Sequence, residues 1–251
     1  MPVTGKTGRS LSLTFISTPA LIAAAALLII FTCTHSHAES LVAPVEVKNS
    51  HILYITHLFM PVESASVVEN GSNCIGAAMI ISNTNYMFEE NGKTGNFDIE
   101  TKSFLLTYTR KISGNTEVRA MLPFYYNSGG FMDSTIEWFH DALPFKVKNG
   151  GREFVNDDEI HIWYQREKGG VNMNSSFYGT GDPSFFIKKA FQYDDLGLAV
   201  SLGVKPWTGS KKFINSGTTD SGLSVNGSYT TWILHFFGMA GFTYLDRKSV
   251  V

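Results

Sequence analysis

Residues 196–205 read LGLAVSLGVK, a stretch that alternates strictly between large apolar side chains and small or polar ones. Leu and Val occupy every second position, whereas Gly, Ala, Ser and Lys occupy the positions between them. Because successive side chains of a β-strand point to opposite faces, the pattern predicts a strand with one apolar face. Its length also matches the roughly 9–11 residues that a tilted strand needs to cross a bilayer.

The same two-residue period recurs after Cys74. It marks further stretches at 75–81, 104–109, 117–124, 159–165, 171–178, 184–192, 223–229 and 234–244. With 196–205 these stretches predict nine strands, and residues 51–59 are a candidate tenth. Each stretch is a weak signal by itself, so the prediction depends on the whole set.

Long and short connections alternate between these strands. The long ones lie near 89–97, 127–157 and 206–221, and the short ones at 113–115, 194–195 and 230–231. Aromatic residues also gather near the strand ends, as in the interfacial girdles of bacterial barrels. They are Tyr125, Tyr126, Trp163, Tyr164, Trp207, Tyr229, Trp232 and Tyr244. We therefore predict an all-β fold, an antiparallel up-and-down transmembrane β-barrel with one short helix in a long loop.

The composition narrows the class of protein. Of the 251 residues, 43% are hydrophobic and only 17% are charged, which favours a folded chain. A net charge of −2 gives no basic face for nucleic acid. The alternative all-β fold is a soluble β-sandwich or a lipocalin-like barrel. The polar, glycine-rich faces opposite the apolar ones argue against the dry core that such a fold needs.

The first 38 residues are predicted to be a cleaved secretory signal. Lys6 and Arg9 precede an unbroken apolar run at 20–31, and Ser36 and Ala38 form a small-residue cleavage pattern. Twelve apolar residues reach only ~18 Å as a helix, too short for the ~30 Å core of a bilayer. Cleavage would leave Cys74 without a cysteine partner, so we expect an exported chain without disulfides.

The last six residues, 246–251, read DRKSVV and do not continue the strand pattern. A common sequencing adapter translates to the same six residues, so we interpret 246–251 as a non-native tail. The predicted domains are then 1–38 as the signal, 39–245 as the barrel and 246–251 as the tail. Nine strands are an odd number, whereas bacterial single-chain barrels have even numbers, so we expect the barrel to be incomplete at its C-terminus.

The connection at 127–157 is the most unusual stretch. Ser134 and Glu137 have the spacing of a capping box, and Pro144 cannot continue a helix, so a helix of about ten residues is predicted between them. Ile136, Phe139, His140 and Leu143 would share one apolar face. Such a face can dock for stability, or the loop can act as a lid or plug.

Chemistry-bearing side chains cluster in this loop and on the polar strand faces. The candidate binding residues are Phe131, Asp133, Glu137, Trp138, His140, Asp141, Arg152, Arg119 and His161. Glu117, Arg119, Glu159, His161 and Lys205 are expected to form a polar network in the lumen. A single Glu-x-x-His spacing is common by chance and no nucleophile motif occurs, so no metal, cofactor or catalytic residue is predicted.

Five segments carry a resemblance to a known family. They are 127–138 with His140-Asp141, Gly150-Gly151-Arg152, Gly179-Thr180-Gly181-Asp182-Pro183, 205–209, and Ser216-Gly217-Thr218-Thr219-Asp220. Together, and in this order, they resemble a bacterial outer-membrane barrel family known only as a domain of unknown function. The resemblance spans residues 61–244, and it implies an outer-membrane barrel but no activity. Lys205-Pro206-Trp207-Thr208-Gly209-Ser210 departs from the family's Leu-Pro-Thr-Gly-Asp, which puts a role for that loop in doubt.

The functional hypothesis is therefore an outer-membrane barrel of a Gram-negative bacterium, a channel or binding protein for small molecules with 127–157 as lid or plug. Its expected partners are outer-membrane lipid and lipopolysaccharide, the barrel-assembly machinery and a small-molecule ligand, without nucleic acid. The alternatives are a barrel-borne envelope enzyme and a periplasmic β-fold that binds an apolar ligand. If the apolar face meets lipid, Val200→Arg should cost ~2–4 kcal/mol, and Ser201→Arg in a polar lumen much less.

Overall fold

The computed structural model describes residues 44, 48–68, 73–90, 93–142, 159–166, 169–209, 211–232 and 234–246. Every described residue belongs to a single compact unit, as judged by contacts within the chain. The predicted signal and most of the tail, residues 1–38 and 247–251, lie outside the described residues. Within the described part of the chain, no helix is long and apolar enough to span a membrane.

One antiparallel sheet dominates the described residues, together with one short helix. The strands are β1 (Asn73–Glu90), β2 (Lys93–Ser113), β3 (Thr116–Ser128), β4 (His161–Arg166), β5 (Gly169–Met173), β6 (Phe177–Thr180), β7 (Ser184–Tyr193), β8 (Leu196–Lys205), β9 (Asp220–Thr231) and β10 (Leu234–Leu245). The helix α1 (Met132–Ala142) follows β3, which confirms the helix predicted in the long connection. Gly114 and Asp194 adopt the positive φ that tight hairpin turns require.

The ten strands lie in a sheet that is seven strands wide, because β4, β5 and β6 lie end to end with other strands rather than beside them. Sequential hairpins form β1–β2–β3 and β7–β8–β9–β10, and β3 pairs with β7 to join them. The insertion β4–β5–β6 interrupts the predicted up-and-down order. Strand β4 pairs with the part of β2 that lies beyond the end of β3, and β6 pairs with the part of β3 that lies beyond the end of β7. The strand count is ten rather than nine, because the stretch predicted at 171–178 divides into β5 and β6.

Within the described residues the sheet is open, and the sequence had predicted a barrel that is incomplete at its C-terminus. Within the described residues, no pairing joins β1 to β10. Six antiparallel steps separate these two edge strands, so both run in the same direction. The candidate tenth strand at 51–59 is wrong, because residues 52–56 form consecutive turns stabilised by a hydrogen bond from the amide of Ile55 to the carbonyl of His51.

The first hairpin is longer than predicted. Glu90 pairs with Lys93, and pairing continues without a break to Asn73 with Arg110. Residues 89–90 and 93–97, predicted to lie in a loop, are therefore in strands. With 18 and 21 residues, β1 and β2 are longer than a strand needs to cross a bilayer. The ends that meet at their hairpin turn, Glu90 and Lys93, therefore extend beyond the shorter strands.

On β7 to β10 the apolar side chains face outward and are exposed, whereas the small and polar ones face inward and on β7 to β9 are buried, the opposite of a soluble sheet. On β8, Leu196, Leu198, Val200, Leu202 and Val204 are 37–54% exposed, whereas Ala199, Ser201 and Lys205 are at most 3% exposed. We call the exposed outward set the apolar band: Phe185, Ile187, Phe191, Leu196, Leu198, Val200, Leu202, Val204, Val225, Tyr229, Leu234, Phe236, Phe242 and Tyr244. Lys189 interrupts it on β7.

At the end of the sheet formed by β2 and β4, apolar side chains face inward, as in a soluble protein. Phe97, Ile99 and Ile162 point inward and are at most 1% exposed, in one apolar cluster with Phe177 and Ile214. His161 was expected to face inward, but it lies on the outward face of β4 opposite Asp98, and the neighbouring Ile162 points inward instead. The inward dry core was not expected, because the residues that complete it come from turns distant in sequence.

Residues 48–68, which we call the inner segment, cover the inward face of the sheet. The amide of Leu58 donates to Asp220 on β9 over 2.9 Å, and the Tyr125 hydroxyl on β3 donates to the carbonyl of Ile55 over 2.8 Å. One apolar cluster contains Leu58 and Met60 and is packed by Ile80 of β1 and Met239 of β10. Both edge strands thus reach the same part of the inner segment.

Candidate functional site

Lys205 lies at the centre of a buried polar cluster on the inward face. Its Nζ atom is 3.5 Å from Asp182 Oδ2 and 3.3 Å from Asp220 Oδ2. It also donates to Ser216 Oγ over 2.5 Å and to the Thr218 carbonyl over 3.1 Å. The residues come from the link after β6, the end of β8, the following loop and the start of β9. One ammonium therefore ties four segments together.

Asp182 accepts several hydrogen bonds within this cluster. One of its oxygens accepts hydrogen bonds from the Thr208 amide and hydroxyl and from Asn215, and the other accepts from the Ser216 amide. Burial alone would raise the pKa of Asp182, but the bonds from Thr208 and Ser216 and the charge of Lys205 hold it below 3.8. The carboxylate is thus built to stay ionised.

This arrangement predicts an acid-sensitive fold. A carboxylate whose folded pKa is depressed stabilises the fold fully above its unfolded pKa, which is 3.8 here, and loses that contribution as pH falls through the folded value. We expect wild-type protein to lose more unfolding free energy between pH 7 and pH 3 than Asp182→Asn does. Urea unfolding at the two pH values measures the difference. Equal losses in both proteins would contradict this role of Asp182.

A second ionic network lies nearer the short turns. Glu63 of the inner segment is 2.5 Å from Arg119 and 3.4 Å from Lys188, and Lys188 is 2.7 Å from Glu117. The other oxygen of Glu117 accepts from the Val68 amide over 2.8 Å. Glu117 and Arg119, which were expected in one polar network, are thus joined through Lys188 and Glu63, whereas Lys205 lies in the separate cluster with Asp182 and Asp220.

A small cavity lies between the inner segment and the sheet beside the Lys205 cluster. Thr56 and His57 form one wall, and Leu105, Tyr125, Asp182 and Lys205 line the other. His57 Nδ1 is 3.8 Å from Asp220 Oδ2. The inner segment thus contacts the cluster directly through His57 and Leu58.

Both side chains of the Ser216–Lys205 contact are fully engaged within the cluster. Lys205 donates to Ser216 Oγ and also lies between the carboxylates of Asp182 and Asp220. Within the described ranges, no group of three His, Cys, Asp or Glu side chains is placed to hold a metal.

Helix α1 lies on the opposite, outward face of the sheet. The amides of Phe131 and Met132 donate to Glu100 Oε2 over 3.1 Å, and Asn83 donates to Asp133 over 2.8 Å. Glu100 and Asn83 are cross-strand partners on β2 and β1. Gly130 lies so close to Glu100 that an added Cβ would come within 2.2 Å of its carboxyl carbon. The Glu100 carboxylate therefore caps the helix, instead of the predicted capping box.

The structure separates the candidate binding residues. Phe131, Asp133, Glu137, Trp138, His140 and Asp141 are on or beside α1, outside the sheet. Arg119 is on the inward face, and His161 is on the outward face of β4 opposite Asp98. Arg152 and the rest of 143–158 lie outside the described residues. Glu159 is exposed and contributes nothing to the inward networks.

Sequence reasoning missed the residues that form the inward clusters. Asp182 was in a motif read as a turn, Ser216 and Asp220 were in a resembling segment with no role assigned, and Glu63 and Lys188 were not singled out. A usable signal was present, because Gly179-Thr180-Gly181-Asp182-Pro183, 205–209 and Ser216-Gly217-Thr218-Thr219-Asp220 converge on Lys205. Three of the resembling segments thus share one site.

A model of the DUF3187 family, described as protein of unknown function, matches residues 22–250. The chain belongs to this family. The DUF3187 assignment confirms the predicted kinship with a domain of unknown function, and its description names neither a location nor an activity. No curated protein and no solved structure matches this DUF3187 chain.

Proposed function

We propose that this protein is a transmembrane β-barrel of the Gram-negative outer membrane whose interior is filled by its inner segment. The observation that carries the proposal is the inverted sidedness of β7 to β10. Their outward positions are apolar and exposed, and their inward positions include buried Lys188, Lys205, Asp220 and Asn226. A soluble protein rarely exposes so large an apolar surface, whereas a barrel in lipid requires one.

The dimensions of the apolar band support this proposal. Its outward positions on β8 run from Leu196 to Val204, about 26 Å along the strand. A strand tilt of about 40° leaves a height of about 20 Å, close to the ~25 Å apolar band of outer-membrane barrels. Aromatic residues Tyr193, Tyr229 and Phe236 are exposed near the short turns, as an interfacial girdle would be.

The geometry of the two edges defines how the barrel would close. Because β1 and β10 run in the same direction, a strand that pairs antiparallel with both must run oppositely. One such strand gives eight positions, an even number. Ile80 of β1 and Met239 of β10 pack against one cluster, so the edges already face a common interior. Closure also removes unpaired backbone groups from hydrocarbon, where each costs several kcal/mol.

Migration and vesicle binding test the proposal. We expect protein folded into outer-membrane lipid or detergent to migrate differently on gels before and after boiling, and its strands to resist protease in vesicles. In the cell, the same band would contact lipopolysaccharide and lipid after insertion by the barrel-assembly machinery. A monomer that stays in the aqueous phase and binds an apolar ligand would instead make it a periplasmic binding protein and overturn the proposal.

The inner segment suggests what kind of barrel this is. It is joined to the sheet through Glu63, Leu58 and Ile55, and it occupies the space through which a solute would pass. We propose that the inner segment, rather than the 127–157 connection, is the plug of a small-molecule channel or binding protein. Its polar contacts to the sheet are the ones that opening would break.

Overpacking the inward face should displace the inner segment. A Cβ added at Gly203 would lie 2.8 Å from Met60 Sδ and 2.9 Å from the Phe186 ring, so Gly203→Leu needs space that the segment occupies. Overpacking costs about 1–3 kcal/mol, so thiol labelling of Ala65→Cys, made in a Cys74→Ser background, should accelerate about tenfold or more. Conductance in planar bilayers should rise as well.

Gly238→Leu is the matched control for this substitution. Gly238 is a strand glycine on the outward face of β10, and an added Cβ there meets nothing within 4 Å. The control should label Ala65→Cys at the wild-type rate. If Gly203→Leu leaves labelling and conductance unchanged, the inner segment is not a plug.

A further inference from the structure

We infer that α1 and the aromatic residues around it form a surface that binds the lipid headgroup region at the long-loop side of the membrane. The inference rests on the proposed function and specifies the role of a segment that the barrel itself does not explain. It replaces the expected lid, because α1 is attached to the outward face of the sheet and not across its interior.

The outward positions of β2 locate this surface. Along the strand these positions are Asp98, Glu100, Lys102, Phe104, Leu106 and Tyr108, so the outward side chains change from polar to apolar between Lys102 and Phe104. Phe104 is 42% exposed, whereas Glu100 is fully covered by the start of α1. A change from polar to apolar outward residues is the sign of a membrane surface on a barrel strand. Helix α1 begins directly at that change.

Aromatic side chains on and just before α1 are exposed. Trp138 is 69% exposed and Phe139 is 53% exposed, whereas Asp133 is buried against the sheet. Phe131, just before the helix, is 58% exposed. A helix that buries a carboxylate and exposes aromatic rings fits the membrane interface, where aromatic rings meet headgroups.

Neighbouring strands continue the same surface. Lys102, Tyr126 and Tyr178 are cross-strand partners on β2, β3 and β6. The Lys102 ammonium lies 5.3 Å from the Phe131 ring and 5.5 Å from the Tyr126 ring, and Lys211 lies 5.5 Å from the Tyr178 ring. Tyrosine, tryptophan and lysine at one level are the residues that anchor membrane proteins at the headgroups.

Depth-dependent fluorescence quenching tests the inference. In a variant with Trp163→Phe, Trp207→Phe and Trp232→Phe, Trp138 is the only tryptophan. The full chain is folded into vesicles of phospholipid brominated either near the headgroup or near the acyl-chain end. We expect bromines near the headgroup to quench Trp138 at least about twofold more than those near the chain end.

A second reporter separates this inference from the proposed function. Leu202→Trp, in a background where all four native tryptophans are Phe, lies in the apolar band and should be quenched most by the deep bromines. Quenching of Leu202→Trp without quenching of Trp138 would overturn the lipid-binding role of α1 and leave the barrel intact. If neither reporter is quenched, the barrel proposal fails and the inference fails with it.

Discussion

Replacing Lys205 with Met should destabilise the protein by about 3–5 kcal/mol, the cost of removing one partner from a buried ion pair. The substitution leaves the carboxylates of Asp182 and Asp220 buried with no cation between them. Asp220 also accepts the Leu58 amide, so the inner segment should loosen together with the sheet. Urea unfolding of the lipid-folded protein measures the loss.

Two further variants control this experiment. Lys212→Met removes an exposed lysine that takes no part in the cluster or in the surface around α1, and it should change stability by less than about 0.5 kcal/mol. Combining Lys205→Met with Asp182→Asn and Asp220→Asn removes the charges together and should recover part of the loss. A Lys205→Met protein as stable as the Lys212→Met control would contradict the structural role of the cluster.

Placing arginine at Leu202 should cost about 2–4 kcal/mol, the penalty for a cation on the lipid face near the bilayer middle. Leu202 is 54% exposed, and its cross-strand neighbours Ile187 and Leu223 are apolar. In a soluble sheet, so exposed a position would tolerate arginine within about 0.5 kcal/mol. The same unfolding measurement in lipid therefore separates the two environments. Leu202 is a better site than Val200, which pairs with Lys189.

Gln165→Arg is the matched control for Leu202→Arg. Gln165 is an exposed strand residue on β4, in the zone where the outward face is polar. It should tolerate arginine within about 0.5 kcal/mol in either environment. Equal costs at Leu202 and Gln165 would mean that the apolar band does not contact lipid.

The structure also revises the expected tolerance of Ser201. Ser201 is 3% exposed, and it lies between Gly197 and Gly203, which contact Ala65 and Met60 of the inner segment. Arginine there would enter a packed interior instead of a water-filled lumen. We therefore expect Ser201→Arg to be destabilising too, through overpacking rather than through lipid.

The strands and their faces were largely predictable from the sequence. Alternation in 196–205 and 184–192 matches β8 and β7 closely, because the outward environment selects for one hydropathy and the inward packing selects for another. The helix was predictable from Pro144 and the loop that surrounds it. The sites were much less predictable, because Asp182, Lys205 and Asp220 are far apart in the chain and meet only through strand pairing.

By itself, the sequence determined an antiparallel sheet with an apolar and a polar face and one helix after β3, since these follow from local periodicity. Only the tertiary structure decided that 48–68 line the interior, that α1 lies outside, and that Ile162 points inward. Each of these depends on contacts between segments distant in sequence. Local hydropathy does not indicate which of two faces a distant segment will cover, so the covered face is set by long-range contacts that form only in the folded protein.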